Sequence, residues 1–537
     1  MTPRERILYP YTQRVEDLRH RLRKTGVFAL VLFVATIMGF LIAALPVQLY
    51  IIPFIPVIIL LLLVLWLAPD IDPELDRPIR FLFMFTLGAS MFWPHYIAFV
   101  LPGVGFITPY RLSLLLLTGI FLFSLATSQR IRHVIGSALD AAPVTKWSFL
   151  LFLVLQAILT VAWMAFTSQI LIELFYWHLM FIIAIFCFSF QNFPRMFAIM
   201  TLVFIPWYTG IAFWEFTLQN KIWMDYVPEF LRGDPELWTI VDTAKFRPGI
   251  DRYRASGVLL TSVTLGEFIG LVYPFVLWSI FHHFQGWRKI FGVLLLVALY
   301  IGLMSAGSRT GWGGIVVGTA VFMLLWGYRR WKREAEKRDL VGPAALWAYP
   351  GGFMAIVVMV LFWQRAREFV IGGGVHQASD DARTEQWRRT WDAVESNPFG
   401  YGPGRIIDVI QYYNAAGGAT VDGYYMNMLV EYGILGTILW AAFFLSVILI
   451  AARTYVLAAN RDEEVAGAVA TSLVAYLVAK YGLSQTELQH LDFAMAGMAV
   501  ALGWRQKVRL KALGEKVDLA PPGRVPPRRP RLRPALT

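Results

Sequence analysis

The sequence predicts an all-α fold: a polytopic membrane bundle of about 12–14 transmembrane helices, with two large external loops that form a partly helical cap. Three observations predict it. Hydrophobic residues make up 57% of the 537-residue chain and charged residues only 16%. Several apolar runs approach or exceed the roughly 20 residues that cross a bilayer. Lysine and arginine collect in particular short connections, the pattern of loops retained on the cytoplasmic side. The net charge of +12 sits largely in those connections and in the two ends of the chain, so nucleic acid is not expected as a partner.

In chain order, residues 1–26 form a basic arm (Arg14, Arg19, Arg21, Arg23, Lys24) predicted to be cytoplasmic. The arm has no short apolar core followed by a small-residue cleavage site, so the first apolar run is expected to stay in the membrane. Residues 27–504 form the bundle. Its spans are predicted near 27–45, 49–68, 79–101, 109–127, 147–166, 170–190, 196–216, 256–281, 288–304, 312–327, 347–363, 426–452, 464–481 and 488–504. Arg130–Arg132, Arg288–Lys289 and the run Arg329, Arg330, Lys332, Arg333 are separated by even numbers of these spans, and so share the cytoplasmic side. The loops 217–255 and 364–424 and the short turn SAGSRTGW (Ser305–Trp312) then lie outside. Within the second loop, Thr384–Glu395 reads as an amphipathic helix, with Trp387, Trp391 and Val394 at helical spacing. Residues 505–537 are basic and proline-rich, with too few apolar residues for a core, and are expected to be a disordered cytoplasmic tail that can touch anionic lipid. Cys187 is the single cysteine and lies in an apolar run, which removes both a disulfide framework and a thiolate metal site.

The external segments carry the residues with chemical potential. Arg254 (in Arg-Ala-Ser-Gly) and Arg309 (in Gly-Ser-Arg-Thr-Gly) each sit beside small residues at a predicted membrane boundary. An ionised group there is costly unless it is paired, faces a polar cavity or snorkels to the headgroups. A guanidinium fork can hold two phosphate oxygens, and small neighbours admit a large anion. Arg383 and Arg405 lie in the second loop, on either side of the rigid turn Asn397-Pro-Phe-Gly-Tyr-Gly-Pro-Gly404. Asp422, ahead of Gly423, Tyr424 and Tyr425 and the next span, offers a carboxylate at the mouth of the membrane. It is open to two roles, helix N-cap or general base toward a sugar hydroxyl. Glu431 follows inside that helix, where an acid needs an arginine or water partner. Asp380 and Asp381 could reach the same point as Asp422, although with His376 a surface role is the simpler expectation. No P-loop, Rossmann glycine pattern, HExxH or GxSxG elbow is present, and no carboxylate pair of DxD type opens an external helix. Neither a metal nor a cofactor is expected.

Four blocks resemble the O-antigen ligase and polysaccharide polymerase superfamily of bacterial membrane glycosyltransferases: RASG at 254–257, GSRTGW at 307–312, RTEQWRRTWDAVESNPFGYGPG at 383–404 and DGYYMNMLVEYGILG at 422–436. The resemblance implies metal-independent, inverting transfer of a glycan from a polyprenyl (undecaprenyl) diphosphate carrier to the hydroxyl of an acceptor glycan, at the periplasmic face of the inner membrane with both termini cytoplasmic. It implies that Arg254 and Arg309 hold the diphosphate, with Arg383 as a third contributor. Chain-length regulators and export proteins are further partners of such an enzyme, besides membrane lipid. Where ligases carry histidine and asparagine, this chain has Asp422 and Gly423, which fits a polymerase of repeat units (exopolysaccharide or O-antigen) better than a ligase acting on lipid A core. Ligase is the nearest alternative, and a polyprenyl-linked glycan transporter is the alternative from another class.

Overall fold

A computed structural model describes residues 74–101, 105–163, 165, 168–233, 235–243, 246–247, 250–334, 340–364, 367, 377–413 and 418–512. The arm at 1–26, the predicted spans at 27–45 and 49–68, and His376 lie outside the described residues. The chain divides into two units, one of Met1–Arg77 with Thr118–His133 and one of Pro78–Leu117 with Val134–Thr537. In the described part of the first, Arg130 pairs with Asp76 at 2.7 Å and Arg132 donates to the carbonyls of Leu125 and Ala126.

Among the described residues the fold is helical, with two short hairpins. The helices are α1 (Asp76–Phe92), α2 (Pro109–Thr127), α3 (Gln129–Asp140), α4 (Pro143–Ala162), α5 (Gln169–Phe188), α6 (Phe193–Leu218), α7 (Pro235–Thr243), α8 (Ser262–Trp278), α9 (Lys289–Ala306), α10 (Arg309–Glu334), α11 (Val341–Phe362), α12 (Gln377–Ser396), α13 (Ile406–Ile410), α14 (Tyr424–Val456), α15 (Arg461–Ala479) and α16 (Gln489–Ala512). Hairpins β1–β2 (Phe99–Leu101, Gly105–Ile107) and β3–β4 (Phe246–Arg247, Ile250–Tyr253) are antiparallel. Among the described residues, nine helices are long and apolar enough to cross a membrane. The chain is a multi-pass membrane protein.

Several predicted boundaries are corrected. The span predicted at 79–101 ends at Phe92 and gives way to the first hairpin, because the Trp93–His95 turn contains Pro94. The span predicted from 256 begins at Ser262, capped by Thr261, whose hydroxyl accepts from Thr264 N, so the RASG block is loop. The tail predicted to be disordered from 505 is helical through Ala512: Arg505 and Arg509 are held by Asp462 and Glu463, and Gln506 donates to Thr454. The basic connection at Arg130–Arg132 belongs to a helix, α3.

One helix that is not among the most apolar lies at the centre of the second unit. α15 packs on α8, α10, α14 and α16, and its run Val465–Thr471, rich in alanine and glycine, is wholly buried. Small residues are the usual currency of helix packing in lipid, because they bring backbones close. The same device joins α8 to α10. A Cβ on Gly270 would stand 3.3 Å from Gly314 Cα, and one on Gly266 would stand 2.3 Å from Ser308 Oγ. That crossing sets the start of α10, and with it Arg309, against the start of α8.

The helices sort their polar residues to two ends. At one end, the starts of α6 and α15 meet the ends of α8, α10, α14 and α16. The basic residues predicted to be cytoplasmic at 288–289 and 329–333 fall there. At the other end, the starts of α8, α10, α14 and α16 meet the end of α15 and the helix α12.

Candidate active site

Arg254 follows β4 and is set by its neighbours. The Glu215 carboxylate, buried in α6, accepts from Tyr253 Oη (2.9 Å), Ser256 N (3.2 Å) and Gly257 N (2.7 Å), pinning the loop on both sides of Arg254. Ala255 N donates to Ser305 O at 3.0 Å and Arg254 Nε to Ala306 O at 3.2 Å, so the arginine lies across the end of α9. The turn there depends on Gly307, left-handed at φ 56°, which lies against the Arg254 side chain and leads directly into Arg309.

Arg309 reaches across to α12. Its Nη2 is 3.3 Å from Asp380 Oδ1, and Arg383 Nη1 is 4.0 Å from the same oxygen. Both guanidiniums are mostly enclosed, and Arg383 Nε is buried without a hydrogen bond. Two cations on one carboxylate leave a local surplus of positive charge in a site that limits water, and such a site favours an additional anion. Asp380, for which the sequence makes a surface role the simpler expectation, is therefore the residue that brings Arg309 and Arg383 together. α12 itself is longer than predicted, at Gln377–Ser396, and Trp387 and Val394 pack inward as their spacing predicted. Trp391 is exposed and stacks on Trp387.

Asp422 is joined to the same end of α12. Its amide donates to Oε1 of the buried Gln386, one turn from Arg383, at 2.9 Å, and its Oδ1 accepts from Thr420 Oγ1 at 3.4 Å. The N-cap role open to Asp422 is excluded, because the cap position is Gly423 and no side chain caps the helix. The carboxylate is half-buried.

Glu431, Arg405, Tyr424 and Tyr425 are placed elsewhere. Glu431 is buried and accepts from the backbone amides of Ile406 and Gly404, which fixes the Gly-Pro-Gly turn on α14. Arg405 lies over the Trp163 ring, 6.0 Å from its centroid. Tyr424 Oη takes a hydrogen bond from Gln489 (2.9 Å), and Tyr425 Oη donates to Leu477 O (2.7 Å). Each of these side chains has a partner within the fold, and the two last sequence blocks fold onto each other. Helix α14 breaks at Gly433 (φ 67°, ψ −170°), and there Ile434 N donates to Pro398 O at 3.0 Å while Gly402 N donates to Glu431 O at 2.9 Å. A Cβ on Gly433 would lie 2.3 Å from Pro398 O, and one on Gly400 2.6 Å from Glu431 O. The glycines of both motifs thus serve a backbone-to-backbone clasp. The clasp is reinforced by Glu173 on α5, which accepts from Tyr432 Oη, Gln156 and Gln169.

Glu215 and the turn after α15 adjoin these residues, and the sequence alone did not single them out. Both lie outside the four blocks, and their only sequence signal is polar residues next to apolar spans.

Residues 293–441 match the family model described as O-antigen ligase. No curated protein matches the chain. The matched segment holds Arg309, Asp380, Arg383, Asp422 and both halves of the glycine clasp, and it supports the O-antigen ligase and polysaccharide polymerase superfamily and a glycosyltransferase activity of that type.

Proposed function

We propose that this chain, whose residues 293–441 match the family model described as O-antigen ligase, is a membrane glycosyltransferase of the bacterial inner membrane that polymerises lipid-linked polysaccharide repeat units on the periplasmic face. The observation that carries this reading is the meeting of Arg309 and Arg383 on the single carboxylate of Asp380, with Arg254 anchored to the turn that leads into Arg309. The carrier's diphosphate lies among the three guanidiniums, at the depth where lipid headgroups meet the helix starts. The acceptor hydroxyl oxygen attacks the anomeric carbon of the donor glycan from the face opposite the diphosphate. The new glycosidic C–O bond forms as the C–O bond to the diphosphate breaks. The electron pair leaves with the diphosphate, whose growing charge the arginines stabilise, and the hydroxyl proton passes to Asp422. The linkage therefore inverts, and the step calls on no metal.

Polymerase is preferred to ligase because the position that carries histidine in ligases is Asp422. The test is polymer formation by purified protein in nanodiscs, supplied with the host's lipid-linked repeat unit and EDTA. Arg254→Ala, Arg309→Ala and Arg383→Ala should each lose transfer by about 100-fold or more at unchanged protein level, and Asp422→Asn should lose it in kcat. Wild-type output from Arg309→Ala would refute the diphosphate site.

A further inference from the structure

The turn from Lys480 to Leu488 lies beyond the segment matched to the family and has no part in the mechanism above, yet it is built into the same end of the bundle. Lys480 Nζ is 2.8 Å from Glu267 Oε1, and both side chains are fully buried. Nζ also donates to Gln485 O, closing the turn, and Lys480 O accepts from Tyr424 N at 3.0 Å, tying the turn to the first residue of α14. Gln485 Oε1 takes hydrogen bonds from the hydroxyls of Thr261 and Thr264 at the start of α8. A buried cation with one carboxylate partner is a costly way to hold a turn, and one that loses its partner is costlier still.

What that clamp presents is specific. Gly482 packs against the Arg383 guanidinium, with its Cβ direction 3.6 Å from Nη2, and against Thr310 beside Arg309. The Tyr481 carbonyl lies at Gly423, 3.2 Å from its Cβ direction, next to Asp422. The backbone at Tyr481–Gly482 therefore runs between the proposed diphosphate site and the proposed base. Lys480 before it and Leu483 after it are buried, whereas Tyr481 is 60% exposed. A tyrosine offers an apolar face and a polar edge, which suits the alternating CH and OH surface of a sugar ring.

We propose that Tyr481 is the platform for the acceptor sugar and that the Lys480–Glu267 pair is its positioning device. This rests on the glycosyltransferase reading of the site and adds to it the side from which the acceptor enters. The acceptor ring lies on Tyr481 with its attacking hydroxyl toward Asp422, while the donor diphosphate stays with the arginines on the far side of Gly482.

The test uses the full-length protein in nanodiscs, the host's lipid-linked repeat unit as donor, and a fluorescently tagged soluble oligosaccharide released from that unit by mild acid as acceptor. Tyr481→Ala should raise the KM for the soluble acceptor about tenfold, with donor KM and kcat within about twofold, and Tyr481→Trp should recover most of the loss. Unchanged acceptor KM in Tyr481→Ala, or a rise in donor KM instead, overturns the platform. Lys480→Met alone leaves Glu267 buried without its partner, so the paired change Lys480→Met/Glu267→Leu is measured beside it. It should melt close to wild type and still show the raised acceptor KM. A paired variant with wild-type melting and wild-type acceptor KM overturns the positioning role. Arg309→Ala is run in parallel: if it kills transfer while Tyr481→Ala is silent, only the acceptor inference fails, and if it transfers normally, the active-site reading fails with it.

Discussion

The two ends of this bundle use arginine in opposite ways. At the end predicted to be cytoplasmic, Asp462 is shared by Arg195 (2.7 Å) and Arg505 (3.1 Å), Glu463 meets Arg509 (3.1 Å), and Glu464 meets Arg329 (2.8 Å). Three consecutive carboxylates at the start of α15 thus answer the helix ends around them, and they sit where the helix dipole also favours negative charge. Asn460 caps the same helix through Glu463 N. At the other end, Arg309 and Arg383 share Asp380 at longer range, 3.3 and 4.0 Å. The first arrangement is a knot of close ion pairs that holds helices together, even though Arg329 Nε and Nη1 and Arg509 Nε are buried without hydrogen bonds. The second is a cationic surface with unsatisfied capacity, held in shape by backbone contacts rather than by its own ion pairs. Arginines held in close pairs with three carboxylates stabilise the protein, and arginines that share one carboxylate at longer range are available to a substrate.

The largest effect that can break this contrast is on turnover. Arg309→Lys keeps the charge but loses the planar fork, and it should still reduce transfer by at least about 10-fold, against about 100-fold or more for Arg309→Ala. Neither change should lower the melting temperature in detergent by more than a few degrees. If Arg309→Ala instead unfolds the protein, the two ends are alike and the arginine is structural.

The next effect is on folding at the site end. Gly433→Ala forces a Cβ to within 2.3 Å of Pro398 O at a left-handed φ, which should cost about 3 kcal/mol or more. The measurement is the yield of monodisperse protein. Gly313→Ala, whose Cβ would meet Val478 Cγ1 at an ordinary 3.7 Å, serves as the comparison, with the smaller expected loss. Equal yields for the two variants would mean that the clasp between the Pro398 turn and α14 does not hold the site.

At the opposite end the expectation reverses. Arg329 is buried, pairs with Glu464 and lies over the Tyr455 ring at 4.8 Å. Arg329→Ala should lower stability by about 3 kcal/mol because Glu464 loses its partner, while kcat and both KM values of the folded fraction stay within about twofold of wild type. A selective loss of kcat at wild-type stability would show that the ends are coupled.

Much of this was legible in the sequence because lipid imposes it. Runs of apolar residues located the described spans, although the one predicted at 79–101 ends at Phe92 and several other ends shift by six residues or more. The amphipathic spacing of Trp387 and Val394 gave α12. The boundary position of Arg254 and Arg309 beside glycines marked them as anion candidates, and they lie at one end of the bundle. What was not legible depended on tertiary approach. Glu431 looked like an acid seeking an arginine, but its partners are the amides of Gly404 and Ile406, supplied only once the two loops clasp. Asp380 looked like surface because its partner Arg309 is 71 residues away. Tyr424 and Tyr425 look alike at a membrane mouth, and only packing against Gln489 and Leu477 shows that both are used internally. The π turn at Glu173–His178 and the turn held by Lys480 carry no pattern at all, since neither follows a helix or strand period.

The smallest effects sharpen the contrast within the site end itself, where two carboxylates move in opposite directions. Glu385, on the outer face of α12, is held down to about 2 by hydrogen bonds from Arg388 and Arg389. Its contribution is present above the ordinary value of 4.5 and is lost as pH falls through about 2, and because the group is exposed it is small and weakened by salt. Glu487, in the turn after α15, keeps part of its side chain at the surface, but its Oε1 is buried, and burial pushes the group up to about 7 against the Leu260 amide and Lys221. Its protonated form is the one the fold favours, so its contribution is complete below 4.5 and is lost as pH rises through about 7. Melting curves of the nanodisc protein from pH 5.5 to 8.5 should therefore fall with rising pH, and Glu487→Gln should flatten the fall, whereas Glu385→Gln should leave that range unchanged and alter only the acid limb. If Glu487→Gln melts with the wild-type slope, the turn that carries Tyr481 is more open to water than the packing around Lys480 requires.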